Sequence, residues 1–108
     1  MIYEFVIMIA KKQIENVLKT IPDPELGISV WDLGLIYNID IDDKKKSVNI
    51  RMTLTSIGCP LFSLISDPVR SAILEIKGVK DVNIDLTFEP PWSVEKMSRD
   101  ARIQLGMD

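Results

Sequence analysis

The run LIYNIDIDDKKKSVNIRMTLT, residues 35–55, decides the fold. In its first half Leu35, Tyr37, Ile39 and Ile41 alternate with Ile36, Asn38, Asp40 and Asp42. That period of two predicts a strand with one mostly polar face. In its second half Val48, Ile50, Met52 and Leu54 alternate with Asn49, Arg51, Thr53 and Thr55. Two alternating segments joined by a short charged turn read as a β-hairpin. Lys44, Lys45 and Lys46 form the only basic run, and they follow Asp42 and Asp43. They mark a solvated turn rather than a binding patch.

Downstream, Ser56-Ile57-Gly58-Cys59-Pro60 breaks the second strand. Leu61, Ile65, Val69, Ala72, Ile73 and Ile76 then recur at helical spacing, and Gly78 closes that helix. Pro68 inside it predicts a kink, the alternative being a second helix capped by Asp67. Val82, Ile84, Leu86 and Phe88 predict a third strand, and Glu89-Pro90-Pro91-Trp92 a stiff extended linker. A last helix is expected from an N-cap at Ser93, with Trp92 and Met97 as a staple across the cap. Val94, Met97, Ala101 and Leu105 are expected on its core face. Upstream, the apolar spacing from Ile7 to Ile21 predicts a first helix, stopped by Pro22 and Pro24.

The order is therefore helix, strand, strand, helix, strand, helix. An α+β (α/β) fold follows, with a small mixed three-stranded sheet. It combines an antiparallel hairpin with one right-handed strand–helix–strand crossover. Each strand has a polar face, so helices are expected mainly on one side. The 108 residues suit a single domain spanning 1–108, with residues 1–9 as an apolar N-terminal extension.

Composition narrows the chemistry. With no histidine and one cysteine, the chain alone can build neither a Ser-His-Asp or Cys-His centre nor a Cys-x-x-Cys metal or redox pair. A lone cysteine asks for no oxidising compartment, and the apolar start is far short of the about 20 residues that span a bilayer. A cytoplasmic protein with no membrane partner is expected. The net charge of −3 argues against nucleic acid as a partner.

Cys59 lies between a strand end and a helix start. Gly58 permits an unusual backbone angle, and Pro60 suits the first helical position. Helix N-termini favour thiolates, and Thr55 and Ser56 supply hydroxyls nearby. Asp23 and Glu25 place two carboxylates in one turn. Bland readings stand beside these. A single free cysteine is commonly a small buried hydrophobe. Asp23 before a proline is ordinary turn chemistry.

Asp23-Pro24-Glu25, Asp32-Leu33-Gly34-Leu35-Ile36-Tyr37, Met52–Pro60 and Pro90-Pro91-Trp92 together carry a resemblance. In their order and spacing the chain resembles the SufT-like and PaaD-like metal–sulfur cluster biosynthesis proteins. Eukaryotic relatives of that family serve in the cytosolic iron–sulfur cluster targeting complex. The resemblance runs from about Lys11 to Gly106.

The resemblance implies a factor that assembles iron–sulfur clusters or delivers them to apoproteins, and not an enzyme. Its motif cysteine falls on Cys59, the expected cluster or iron ligand. Its acidic turn falls on Asp23 and Glu25, and its paired hydroxyls on Thr55 and Ser56. Ile57 stands where the family commonly has proline. The absence of the cysteine-rich tail of the PaaD-like relatives favours the cluster-assembly branch. One thiolate cannot complete a cluster's ligand set. A transient cluster shared between two copies, in a homodimer, or completed by a partner or small thiols is therefore expected. The expected partners are the assembly machinery and apoprotein clients. Two alternatives are a metal-free thiol protein working through a persulfide or mixed disulfide, and a non-catalytic module that recruits clients.

Overall fold

The computed structural model describes residues 9–24, 26–55 and 62–106. In chain order these form α1 (Lys11–Leu18), β1 (Ile36–Asp42), β2 (Ser47–Met52), α2 (Phe62–Leu74), β3 (Asp81–Leu86) and α3 (Arg99–Gln104). A short 3-10 turn, Val94–Lys96, precedes α3. The sheet order is β1-β2-β3. β1 and β2 pair antiparallel, and β2 and β3 pair parallel. The mixed sheet and its element order are those expected from the alternating runs.

The hairpin carries a bulge that periodicity does not predict. Ile36 stands opposite Met52 and Asn38 opposite Arg51, so Tyr37 is an extra residue with no partner on β2. One inserted residue reverses which positions share a face. Ile36, read as polar-side company for Asn38, therefore joins the side of Met52 and packs partly buried against the core. Tyr37 is released from the apolar row.

Val48, Ile50 and Met52 of β2 and Val82 and Ile84 of β3 are buried beneath Ile14 and Leu18 of α1 and Ile65, Val69 and Ile73 of α2. The opposite face is polar. Asn83 donates to Asn49 Oδ1 at 2.7 Å, and Asn49 and Asn83 each donate to Asp85 at 3.2 Å. The expected one-sided cover by helices holds along most of the sheet, because these amides and carboxylates satisfy one another at the surface.

Two boundaries differ from expectation, and a third settles an alternative. α1 ends at Leu18, and Ile21 turns away because its carbonyl accepts from Val30 N at 2.8 Å. α2 is one helix with Pro68 inside it, in keeping with the expected single helix, and the alternative of a second helix beginning at Asp67 does not hold. Asp67 instead sits 3.9 Å from Arg70 on the exposed surface. The last helix is not capped by Ser93, which makes no side-chain cap bond. Its cap is Ser98, whose Oγ accepts from Ala101 N at 3.1 Å. Val94 and Leu105 are consequently exposed, while Met97 and Ala101 are buried as expected. No described helix is long and apolar enough to cross a membrane.

Candidate functional site

Of the six residues singled out in the sequence, Asp23 and Thr55 are described; Glu25, Ser56, Gly58 and Cys59 lie outside the described residues. Asp23 is buried, and its carboxylate does turn chemistry. Oδ1 accepts from Leu26 N at 3.0 Å, while the Asp23 carbonyl accepts from Gly27 N at 2.8 Å. Gly27 has φ +71°, which a side chain would strain, so the turn depends on that glycine. Asp23 N in turn donates to Ile28 O at 2.8 Å.

A chain of backbone bonds links this turn to the strand end below Thr55. Val30 N donates to Ile21 O, Leu35 N to Val30 O, and Thr53 N to Leu35 O. Thr55 follows two residues later in a bend, half-buried. Among the described residues no three His, Cys, Asp or Glu side chains group as a metal site.

The motif Asp32–Tyr37, which carried no assigned role in the sequence, is a platform for the C-terminal segment. Asp32 O accepts from Ser98 N at 2.7 Å, and Leu33 O accepts from Trp92 Nε1 at 2.7 Å. Asp32 is itself held by Ser29, whose hydroxyl donates to Oδ2 at 2.9 Å. Gly34, at φ +75°, lies so close to the Lys96 backbone that any Cβ would collide with it. The Tyr37 hydroxyl donates to Pro90 O at 2.7 Å. Trp92 therefore anchors the segment to the Asp32–Tyr37 loop and does not staple a cap at Ser93. The motifs at 32–37 and 90–92 occur together because each is the other's contact surface.

Where that segment crosses the polar sheet face it leaves an open cleft of about 580 Å³, lined by Tyr37, Asn38, Arg51, Glu89, Pro90 and Lys96 among others. Lys96 Nζ lies 5.1 Å from the Tyr37 ring centroid, a cation–π contact. Burial raises the Tyr37 hydroxyl above its ordinary range, opposed by Thr53 beside it. Thr53 is wholly buried, and its Oγ1, although close to Tyr37, has no hydrogen-bond partner of good geometry among the described residues. Sequence reasoning placed Thr53 and Arg51 on a solvated face and missed the cleft. The signal was present in Tyr37, an aromatic residue ending a Gly-containing loop at the start of a polar-faced strand.

The architecture is that of a small α+β domain: a mixed three-stranded sheet with helices on one face and a C-terminal strap over one end of the other. It is similar to the crystal structure of a domain of unknown function, DUF59, from Bacillus anthracis, which covers 91% of this chain and 92% of its own length with a TM-score of 0.81 and 36% identity. Residues 11–86 match the family described as iron-sulfur cluster assembly protein, and the chain belongs to that family. It is 43% identical to the Fe-S protein maturation auxiliary factor YitW of Bacillus subtilis, over 90% of this chain and 94% of that protein. It is also 42% identical to the Fe-S protein maturation auxiliary factor SufT of Staphylococcus aureus, over 79% of this chain and 96% of its relative.

Proposed function

We propose that this protein is an iron–sulfur cluster assembly or targeting factor, not an enzyme, which passes clusters as cargo to apoprotein clients with Cys59 as a ligand. The observation that carries the reading is the near full-length similarity to YitW, an Fe-S protein maturation auxiliary factor. The residue inventory supports a handover role. A single cysteine cannot fill the thiolate set of a cluster, so the cargo is shared with a second copy, a partner or small thiols. Incomplete ligation by any one chain is what permits transfer.

The described residues have two parts in this. Asp23 shapes the turn that leads by backbone bonds to the strand end, and so fixes the backbone on which Thr55 stands. Thr55 supplies a hydroxyl for hydrogen bonding to sulfur or to an anionic cargo. Ser56, Glu25 and Gly58 are assigned supporting roles on sequence grounds alone.

Anaerobic reconstitution with iron and sulfide tests the ligand role. Wild type is expected to hold iron and show visible charge-transfer absorption, and Cys59→Ala to lose both. Equal iron and absorption in the two proteins would refute it. Complementation of a cell lacking its own factor separates the recruiting reading: full activity of Cys59→Ala would put client recruitment first.

A further inference from the structure

The polar-face cleft has no part in the ligand chemistry above, and its walls are built. Three hydrogen bonds fix the segment that forms one wall: Tyr37 to Pro90, Trp92 to Leu33, and Ser98 to Asp32. The absence of a Cβ at Gly34 lets Lys96 sit against the strand entry. The cleft volume of about 580 Å³ falls within the range of small-molecule sites.

Its charges are not neutralised from within. Arg51 stands in register with Asp85 on β3, the carboxylate that would ordinarily pair with it. The Asp85 oxygens instead accept from amides, Oδ2 from Asn49 and Oδ1 from Asn83. Among the described residues Arg51 makes no ion pair, and it faces the cleft. Lys96 is the second cation, held over the Tyr37 ring. Glu89 is the single carboxylate of the lining. An arginine fork and an ammonium suit a carboxylate ligand, and Glu89 disfavours a pure polyanion while suiting an ammonium.

We propose that this cleft binds a small zwitterion of the amino-acid type, its carboxylate on Arg51 and Lys96 and its ammonium on Glu89. The inference is independent of the cluster reading, because neither Cys59 nor any metal enters it.

The test is a titration of the isotope-labelled full chain, followed by amide NMR shifts, with a panel of free L-amino acids. Each is paired with its analogue lacking the amino group, such as glutarate for glutamate. At least one amino acid is expected to shift Tyr37, Asn38, Arg51 and Lys96 saturably. Its des-amino analogue should bind about tenfold more weakly or worse. Arg51→Ala and Glu89→Gln should each weaken binding by about tenfold, with Lys44→Ala unchanged. Arg51 and Glu89 are exposed, so both variants are expected to fold, and unchanged circular dichroism checks this. Equal binding of the des-amino analogue, equal displacement by sulfate, or no saturable shift with any amino acid would each overturn the proposal.

Discussion

Tyr37 shows how one residue joins local geometry to the surface it serves. As the extra residue of the bulge it leaves the pairing row, and its hydroxyl reaches Pro90 across 53 positions of sequence. Burial favours its neutral form, raising its pKa above the ordinary 10.0. The sign follows from the phenol being neutral when protonated. Below that pH the proton is held in both folded and unfolded chains, and stability is undiminished. As pH rises further the unfolded chain loses its proton first, so stability falls until the folded-state pKa is passed. The chain has two tyrosines, Tyr3 and Tyr37. In an ultraviolet phenolate titration the component above pH 10.0 is expected to vanish in Tyr37→Phe. Loss of a lower component instead would contradict the burial argument.

The same substitution removes the bond to Pro90 and is expected to cost about 1 kcal/mol in urea unfolding.

At the scale of elements, the last helix is the sharpest case. Ser93 and Ser98 are equally good N-cap residues by type, each with helical spacing after it. Ser98 is chosen because its amide is drawn to Asp32 O, and the chain before it is spent on the Lys96 turn against Gly34. Ser98→Ala is therefore expected to cost about 1 kcal/mol, and Ser93→Ala a few tenths at most. Thermal unfolding of the two variants measures the difference; a larger loss at Ser93 would contradict the assignment. α2 makes the complementary point. Its apolar row Ile65, Val69 and Ile73 is buried against the sheet, which holds the helix continuous through Pro68 despite the missing amide bond.

For the whole molecule, the C-terminal strap is joined to the rest through the Asp32–Tyr37 platform and through Met97 and Ala101, which are buried in the core. Trp92 contributes a half-buried ring and one bond to Leu33 O. Trp92→Ala is expected to lower stability by about 2 kcal/mol, less than a fully buried tryptophan would cost. The loss should be local. Hydrogen exchange is expected to quicken at Ala101 and Leu105, whose amides bond within the strap, while Ile50 in the central strand keeps its protection. Uniform acceleration through β2 would show instead that strap and sheet unfold as one unit.

By itself the sequence determined the three strands, the three helices, their order and the family. Period-two and helical spacings record which residues must leave water, and that demand is local. The sequence also bounded the chemistry, since an absent histidine and a single cysteine are matters of inventory. Tertiary structure alone decided the bulge at Tyr37, the choice of Ser98 over Ser93, the burial of Thr53 and the cleft beside Arg51. Each depends on a contact between residues far apart in the chain, and a backbone amide or a missing Cβ leaves no periodic trace. Asp23 falls between the two. Its turn chemistry was legible in Asp23-Pro24 and Gly27, but its link to the strand end at Thr53 required the ladder through Val30 and Leu35.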